Sequence, residues 1–422
     1  MPQPPSVRPG APVALTGAGV VSPIGNTLAA FDAALFAGRS AVRAQALDLP
    51  GIELPPVPVA SADFDAAAEE APSRVPLDRA TAMALAAARD AARTAGLAPG
   101  GFDPERLGVY WGSGMAGAAT FEATCRTVYA DRRRMRPTSV VTTMPNAPVA
   151  EIALRFGARG AALAYACACA SSAVAIGEAM RAIRAGWIDV AIAGGSESLL
   201  TPGVLASWQA MRVLTPLAAG ADREASAQRA CRPFAADRAG FALGEAAAAF
   251  ILESTDHARA RGAIARFDLA GYATNCDGVH ITQPDAAGQA RAMRAALDDA
   301  GLVAGAIGYL NAHGTATTAG DAAEAESIAG VFGANGVAVS STNAIHGHLL
   351  GAGGAVELLA ATRALVGERL PPTANVERAD PAFALDLVTG SARMSAGLDA
   401  VMSNSFAFGG TNAVLIATRS RR

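Results

Sequence analysis

The amino-acid sequence predicts an α/β fold made of two similar halves. Three pairs of segments resemble one another and occur in the same order along the chain. They alternate short apolar strands with alanine-rich helical patterns, which is typical of mostly parallel sheets covered by helices. Composition agrees with this fold, because hydrophobic residues make up 51% of the 422 residues and charged residues only 17%, which is enough apolar material for a large core.

The repeated segments indicate which strands and helices correspond in the two halves. The first pair is a helical pattern that ends at Ala-Gly-Leu, where the glycine is a natural stop for a helix. The second is a strand, a loop of small polar residues and a long helix, and the third is an apolar strand that opens into a glycine- and serine-rich loop. The pairs are residues 87–97 and 293–302, residues 162–186 and 337–365, and residues 189–198 and 399–410.

The duplication sets the expected domain boundaries and the expected place of a site. We predict a loose N-terminal tail at residues 1–12, an N-terminal half at residues 13–253 and a C-terminal half at residues 254–422. Ligands of such sheets gather beyond the carboxyl ends of the strands, so the loops that follow the paired strands should face a shared site. Those loops carry Cys169, His313, His348 and Phe408.

Composition and charge exclude several classes of function. The chain has no lysine, which excludes a Schiff-base lysine and the lysine of a Walker phosphate loop. The net charge of −3 argues against a nucleic-acid partner, since phosphate binding needs a basic face. The five cysteines show no CxxC spacing, so their spacing indicates neither a disulfide framework nor a zinc site.

No segment is expected to cross a membrane. Residues 1–12 lack the apolar core of a signal peptide. Residues 160–177 are uncharged over about the length of a membrane span, but they are rich in alanine, serine and cysteine. A buried strand followed by a helix is the expected structure there. We therefore expect a soluble cytoplasmic protein.

Cys169 is a candidate nucleophile because it lies between a predicted strand and a long predicted helix. The unpaired N–H groups and the partial positive charge of a helix N-terminus favour the thiolate, which is the reactive form of cysteine. Cysteine is also one of the residues most often simply buried. Position alone therefore leaves a catalytic and a structural interpretation open.

His313 and His348 lie in glycine-flanked loops of the C-terminal half. Two imidazoles near a thiol fit either an acyl-transfer site or a metal site, although zinc normally takes a third or fourth ligand. The glycine-rich turn at residues 405–412 would let backbone N–H groups approach a ligand and form an oxyanion hole, or it is an ordinary tight turn. The residues alone do not decide between these chemistries.

Together these motifs resemble those of the type II β-ketoacyl-acyl carrier protein synthases, which are condensing enzymes with the thiolase fold. The resemblance covers residues 13–416, nearly the whole chain. It rests on Ala-Cys-Ala-Ser-Ser around Cys169, His-Gly-Thr-Ala-Thr-Thr-Ala-Gly-Asp from His313, Gly-His-Leu-Leu-Gly-Ala around His348 and Phe-Gly-Gly-Thr-Asn from Phe408. It implies a duplicated fold in which two mixed sheets alternate with helical layers in the order αβαβα.

The resemblance also implies a role for each site residue. Cys169 would take an acyl group from a carrier-protein thioester, with the N–H groups of Cys169 and Phe408 as the oxyanion hole. His313 and His348 would assist the loss of CO2 from malonyl-carrier protein, and the resulting enolate would attack the acyl-enzyme in a Claisen condensation. The other implied positions are Thr315 and Thr317 on the phosphopantetheine arm, Met115 in the acyl pocket and Phe408 as its gate.

The same resemblance implies the partners. Acyl carrier protein would deliver the substrates on its phosphopantetheine, and no bound cofactor or metal would be needed. A homodimer is the expected assembly, and pairing with a related ketosynthase-like chain is the alternative. Because the carrier is acidic, its docking surface should be basic. The densest basic run, at a place where the family carries basic residues for the carrier, is Arg132, Arg133, Arg134 and Arg136.

The sequence departs from the family at two places. The family reads Lys-Ser-x-x-Gly-His before the second histidine, and here Asn343 occupies the lysine position. Glu324, the carboxylate expected to pair with that lysine, is retained, so its pKa should differ from that in the family. His346 is an added imidazole that we interpret as a neutral variation. Ala407 replaces a glycine in the gating turn, where its methyl group would slow the gate or reshape the pocket.

The missing lysine leaves other functions open. In the family this lysine orders the histidines and supports decarboxylation, so its loss favours an acyltransferase that loads Cys169 and passes the acyl group on without decarboxylation. A chain-length-type partner subunit of another ketosynthase is a third hypothesis, and the retained Cys169 argues against it. The leading hypothesis remains decarboxylative condensation in fatty acid or polyketide-type biosynthesis.

Overall fold

The main structural feature of the chain is an eleven-stranded mixed sheet. The structure is a computed structural model that describes residues 10–70, 76–98 and 100–420. Most of the predicted N-terminal tail, residues 1–9, lies outside the described residues.

Within the described residues there are sixteen strands and fourteen α-helices. The strands are β1 Val13–Val21, β2 Arg43–Gln45, β3 Val57–Ala60, β4 Leu107–Gly112, β5 Ala162–Tyr165, β6 Val190–Glu197, β7 Leu243–Gly244, β8 Ala246–Glu253, β9 Phe267–Cys276, β10 Tyr309–Asn311, β11 Ala338–Ser340, β12 Arg369–Leu370, β13 Asp386–Leu387, β14 Arg393–Met394, β15 Ala400–Phe406 and β16 Thr411–Arg419. The helices are α1 Leu28–Ala37, α2 Ala67–Glu70, α3 Arg79–Thr94, α4 Ala118–Tyr129, α5 Ser139–Thr143, α6 Ala147–Phe156, α7 Ser171–Arg184, α8 Pro202–Ala210, α9 Arg223–Gln228, α10 Thr255–Ala260, α11 Ala286–Ala300, α12 Thr318–Phe332, α13 Asn343–His346 and α14 Gly353–Gly367.

The strand order repeats in the two halves of the sheet. The N-terminal set runs β5-β4-β6-β8-β1 and the C-terminal set runs β11-β10-β15-β16-β9, with β13 added at the outer edge. In each set the first two pairings are parallel and the next two are antiparallel. Among the strands that the structure describes, the two sets are joined where Val13, Ala14 and Leu15 of β1 pair with β9. The duplication predicted from the repeated segments is therefore confirmed.

Alternation along the strands divides the core into layers. On β8, Ala246, Ala248 and Phe250 pack in one core with α7 and α14, whereas Ala247 and Ala249 pack in a second core with α3. The side chains of β16 alternate in the same way: one set packs in the core that contains α14, and the other set packs in the core that contains α11. Because successive side chains of a strand point to opposite faces, α7 and α14 lie between the two sheet halves while α3 and α11 cover the outside. This is the αβαβα layering that the resemblance implied.

Two strand glycines let α7 begin directly against the sheet. A Cβ added to Gly112 at the end of β4 would lie 2.2 Å from the backbone carbon of Ser171, and one added to Gly195 on β6 would lie 2.5 Å from the Cβ of Ser172. Any side chain at these positions would push the first turn of α7 away from the strand ends. The glycines therefore fix the place where the nucleophile helix starts.

The long apolar segments form the centre of the protein. Residues Leu350–Gly367 have the length and hydropathy of a membrane span, but 83% of that window is buried within the protein, as expected for the central helix α14. The uncharged stretch at residues 160–177 folds as β5 and the start of α7, in agreement with the predicted strand and helix.

Candidate active site

Cys169 lies on a sharp turn between β5 and α7. A short 3₁₀ turn, Ala168–Ala170, joins the strand to the helix, and Ala168 has a left-handed φ of 47°. That conformation costs a residue with a Cβ about 1–2 kcal/mol. The hydroxyl of Ser171 holds the turn, because it donates to the Ala168 carbonyl at 2.6 Å and accepts the N–H of Cys167 at 2.9 Å.

His348 comes from the corresponding turn of the C-terminal half. A second 3₁₀ turn, Leu350–Ala352, leads into α14, and Leu350 has a left-handed φ of 48°. The backbone of His348 is fixed by the neighbouring segment around β7. Its N–H donates to the Ala242 carbonyl at 2.7 Å, and its carbonyl accepts the N–H of Gly244 at 2.8 Å. These two turns, the elbows before α7 and α14, thus bring the nucleophile and one histidine to the same place.

His313 follows β10, and its peptide groups are held on both sides. Its N–H donates to Oε1 of Glu324 at 2.9 Å, and its carbonyl accepts Nδ2 of Asn343 at 2.6 Å. Glu324 also accepts the N–H of Gly314 at 2.7 Å. Because the peptide groups of His313 are held on both sides by side chains that are themselves buried, these bonds fix the direction in which the His313 ring enters the site.

The three side chains predicted to carry the chemistry meet in one cluster. Sγ of Cys169 lies 3.0 Å from Nε2 of His348. The rings of His313 and His348 are nearly perpendicular, with centroids 5.2 Å apart, and the reactive atoms of all three side chains lie within 4.8 Å of one another. A thiol in hydrogen-bond contact with an imidazole is arranged for proton transfer, whereas three ligands are fewer than the four of a structural zinc site.

Burial favours the neutral forms of the thiol and of both imidazoles. Burial raises the pKa of Cys169 to about 12, although the N–H groups of Cys169 and Phe408 face the sulfur and favour its thiolate. Burial lowers the pKa of His313 to about 4 and holds that of His348 well below its usual range. The N–H groups favour the thiolate, as expected for this place in the fold, but desolvation has the larger effect on the pKa of Cys169.

The turn between β15 and β16 supplies the second N–H group at the sulfur. Gly409 and Gly410 have φ values of 85° and 78°, a region open mainly to glycine, and Ala407 closes the turn by donating its N–H to the Thr411 carbonyl at 2.8 Å. The N–H of Phe408 is thereby directed at Cys169. This is the backbone arrangement that an oxyanion hole requires.

The Phe408 ring ends a row of aromatic side chains that reaches the histidines. It stacks on Trp208 of α8 with centroids 6.3 Å apart, and Trp208 meets the edge of Phe241 at 5.7 Å. Phe241 in turn lies 5.2 Å from the ring of His348. Trp208 was not identified from the sequence, because it lies in no motif and its contacts depend on how α8 packs.

A cavity of about 270 Å³ opens beside Cys169. Its walls include both histidines, Phe408, Thr315 and Thr317, and the hydroxyl oxygens of the two threonines lie 3.2 Å apart. The cavity thus brings together the nucleophile and the two positions expected to contact the phosphopantetheine arm. Its polar wall also includes three residues that sequence reasoning missed, namely Asp277, Gln289 and Asn412.

Met115 and the basic run do not line this cavity. The side chain of Met115 is 52% exposed, and its backbone N–H donates to the buried Glu197 at 3.1 Å. Its place in an acyl pocket stays a prediction from the resemblance. The basic run, Arg132, Arg133, Arg134 and Arg136, is exposed, and its last three members line a separate surface groove.

Asn343 contacts a different carboxylate from the one expected. Its Nδ2 donates to the His313 carbonyl and, at 3.0 Å, to Oε1 of Glu357 on α14. Glu324 instead binds the backbone N–H groups of the His313 loop and the side-chain amide of Asn404. The pairing of position 343 with Glu324 is therefore corrected, since Glu357 is the partner. Burial raises the pKa of Glu324 to about 7.

His346 is a buried structural residue. Its Nδ1 lies 2.8 Å from the Gly347 carbonyl and its Nε2 lies 3.0 Å from the hydroxyl of Thr342. Both ring nitrogens thus have local partners. This agrees with its interpretation as a neutral variation.

Comparison with known proteins gives one consistent family. The family model described as "Beta-ketoacyl synthase, N-terminal domain" matches residues 10–258, and the corresponding C-terminal domain model matches residues 267–377. Nodulation protein E of Rhizobium meliloti (strain 1021) is 40% identical over 344 residues, 81% of this chain and 82% of that protein. The 3-oxoacyl-[acyl-carrier-protein] synthase 2 of Vibrio cholerae serotype O1 is 36% identical over 415 residues, 96% of this chain and 99% of that protein. The solved structure described as "The ishigamide ketosynthase/chain length factor" has a TM-score of 0.88 and 30% identity, and the match covers 97% of this chain and 99% of that one.

Proposed function

The chain belongs to the β-ketoacyl synthase family, and we therefore propose that it condenses an acyl group held on Cys169 with malonyl-acyl carrier protein. The observation that carries the proposal is the contact of 3.0 Å between Sγ of Cys169 and Nε2 of His348, beside a cavity that both residues line. Thr315 and Thr317 on the cavity wall would receive the phosphopantetheine arm. The products would be 3-ketoacyl groups of fatty acid or polyketide type.

In the first step, the sulfur of Cys169 attacks the carbonyl carbon of an acyl-carrier thioester. The Cys169 S–C bond forms, and the bond to the pantetheine sulfur breaks. Neutral His348 takes the thiol proton at Nε2 and passes it to the leaving pantetheine thiolate. The N–H groups of Cys169 and Phe408 hold the oxygen while it is negatively charged.

In the second step, malonyl-carrier protein loses CO2 as its C–C bond breaks. The electron pair moves onto the thioester carbonyl, and the enolate oxygen accepts hydrogen bonds from Nε2–H of His313 and from Nε2–H of His348, whose neutral ring has by then moved its proton from Nδ1 to Nε2. The enolate carbon then attacks the acyl carbonyl, the new C–C bond forms and the bond to the sulfur of Cys169 breaks. The released thiolate takes up a proton from solvent, which returns the thiol to its starting state.

An acyltransferase without decarboxylation is the second candidate function. The observation that favours it is the neutral amide of Asn343 at the family's lysine position, buried between His313 and Glu357. Such an enzyme would still load Cys169 but would transfer the acyl group to another nucleophile. A chain-length-type subunit is disfavoured, because the hydrogen-bonded Cys169–His348 pair is intact.

The proposed partners are acyl carrier protein and a second copy of the chain. Strand β5 ends the sheet order, and its residues Ala162, Leu163 and Ala164 are exposed. An unpaired strand edge is a template for pairing with another chain. Apolar side chains of the segment that precedes it, such as Val140 at 68% exposure, are also uncovered. A second copy would cover this edge, and a related ketosynthase-like chain is the alternative occupant.

Mass spectrometry after incubation with an acyl-carrier protein tests the first half of the proposal. We expect one acyl mass per chain on the peptide that holds Cys169, and Cys169→Ala should abolish it. Cys167→Ala is the matched control, because that half-buried cysteine lies two positions away and makes no contact with His348. A protein that gains no acyl mass, or gains it elsewhere, would contradict both enzyme hypotheses.

A further inference from the structure

Glu357 is a buried carboxyl group without a counter-charge. It lies on α14, is 1% exposed, and its Oε1 accepts Nδ2 of Asn343. Its other oxygen, Oε2, has no hydrogen-bond partner. Among the described residues no arginine or histidine forms an ion pair with it, and the chain has no lysine that could.

An ionised carboxylate is very costly in such a place, because a buried charge loses its hydration and gains no counter-charge in return. A carboxyl group avoids this cost when it holds a proton. Burial raises the pKa of Glu357 well above its usual range, and the neighbouring Glu324 raises it further. The hydrogen bond from Asn343 favours the ionised form, but one neutral amide does not replace a cation.

A proton on Glu357 also completes the hydrogen bonding of Asn343. Oδ1 of Asn343 is buried and has no partner, as is Oε2 of Glu357. These two atoms belong to side chains that are already joined by the Nδ2 to Oε1 hydrogen bond of 3.0 Å. An acid and an amide joined in this way can form a second hydrogen bond, from the acid O–H to the amide oxygen. An ionised Glu357 offers no such donor.

We propose that Glu357 is a protonated carboxylic acid and forms with Asn343 a neutral acid–amide pair that positions His313. The pair acts through Nδ2 of Asn343, which holds the carbonyl of His313 at 2.6 Å. Glu324 holds the N–H of the same residue. Glu357 and Asn343 are positioning residues, since neither lines the cavity beside Cys169. The pair would keep His313 in place without the family's charged lysine.

Infrared spectroscopy tests the protonation state without relying on the proposed function. The difference spectrum between the wild type and Glu357→Gln at neutral pH should show the carbonyl band of one protonated carboxylic acid. Bands of an ionised carboxylate would overturn the proposal, including the case in which a bound cation supplies the missing charge. The result stands whether or not Cys169 proves to be acylated.

The pH dependence of unfolding gives a second, sign-specific test. The proposal places the pKa of Glu357 in the folded protein above its unfolded value of about 4.3. Between these two pKa values the folded wild type binds one proton more than the unfolded chain. The folding equilibrium constant of the wild type should therefore fall relative to that of Glu357→Gln as pH rises above the unfolded value, by up to about tenfold per pH unit. The groups nearest to Glu357 are Glu324, Tyr309 and Cys169, and they are the same in both proteins. If the ratio of the two folding equilibrium constants, wild type to Glu357→Gln, does not change with pH, the proposal is contradicted.

The kinetic test rests on the proposed function. Glu357→Gln should decarboxylate malonyl-carrier protein at about the wild-type rate, because a neutral amide can donate and accept where the acid does. Glu357→Leu, which can do neither, should lose on the order of tenfold while its Cys169 still accepts an acyl group. In an Asn343→Lys background, Glu357→Gln should lower the decarboxylation rate instead of leaving it unchanged, since the ammonium group needs an ionised partner. Equal losses for Gln and Leu in the wild-type background would overturn the proposal.

Discussion

Burial raises the pKa of Cys169 to about 12 and lowers that of His313 to about 4, which favours the neutral forms of these reactive groups. The reactivity of Cys169 therefore depends on a neighbouring base and not on a low pKa of its own thiol. Nε2 of His348, 3.0 Å away, is the base that must take the thiol proton. The dry surroundings that suppress the thiolate also strengthen the hydrogen bonds that the oxyanion receives.

This assignment predicts an unusual pH profile for the acylation of Cys169. The base is active when it is neutral, and the pKa of His348 lies well below its usual range. The acylation rate should therefore stay level from pH 8 down through pH 6, and it should fall only at a pH well below the ordinary histidine range. Rapid-mixing measurements with an acyl-carrier protein would show this. An acid limb with a midpoint near the ordinary histidine value of about 6.5 would contradict it.

The residues of the site differ in how far sequence could identify them. Cys169, His313, His348 and the turn at Phe408 could be predicted, because each lies in a short motif after a strand and the topology brings such loops together. Glu357 could not, since it lies in the apolar sequence of α14 and its contact with Asn343 exists only after α13 packs on that helix. The effect of burial on the pKa of Cys169 could not be predicted either, because burial is a property of the folded chain.

At the level of secondary structure, the turn between β15 and β16, which the resemblance identifies as a gate, is held more firmly than its glycines suggest. Ala407 has an ordinary negative φ, as the left-handed positions of this turn are Gly409 and Gly410. Its methyl group packs against two parts of the hydrophobic core. The Phe408 ring is stacked on Trp208, and the N–H of Gly409 donates to the Ile281 carbonyl at 2.7 Å. These contacts stabilise one position of the gate.

Ala407→Gly should therefore loosen the gate. Glycine gains backbone freedom worth about 0.5–1 kcal/mol, so we expect acylation of Cys169 to be faster by roughly two- to fivefold and unfolding to require less free energy by the same amount. Acylation kinetics and thermal unfolding measure the two effects. Trp208 fluorescence reports the movement of Phe408, with the Trp208→Phe background as the control for the other tryptophans. An unchanged or slower acylation rate would show that the methyl group does not restrain the turn.

At the scale of the whole molecule, the site exists because the two halves meet. Cys169 comes from the elbow before α7, His348 from the equivalent elbow before α14, and Glu197 of β6 accepts the N–H groups of Gly114 and Gly351 across the junction. The repeated segments were sufficient to predict this duplication, because strand and helix periods survive in the sequence. They were not sufficient to show that β1 and β9 pair and join the two sets of strands, since strand pairing between distant segments leaves no local pattern.

The exposed edge of β5 predicts a dimer that a single charge can disrupt. Leu163 is 45% exposed on this edge strand, and burying an arginine there without a partner would be costly. Analytical ultracentrifugation should find a dimer for the wild type and a monomer for Leu163→Arg. Ile264→Arg, at a residue that is 82% exposed and far from β5 in the sheet order, should remain dimeric. A monomeric wild type would contradict the homodimer.

We predict that this chain carries out condensation although asparagine replaces the family's lysine. A single-turnover reaction would show whether it does. The acyl-enzyme is prepared on Cys169, freed of acyl-carrier protein and mixed with malonyl-carrier protein, and the CO2 released and the carrier-bound product are measured together. We predict one CO2 and one 3-ketoacyl-carrier protein for each acyl group lost from Cys169. An acyl group that stays on the enzyme, or leaves for another nucleophile without release of CO2, would contradict the account.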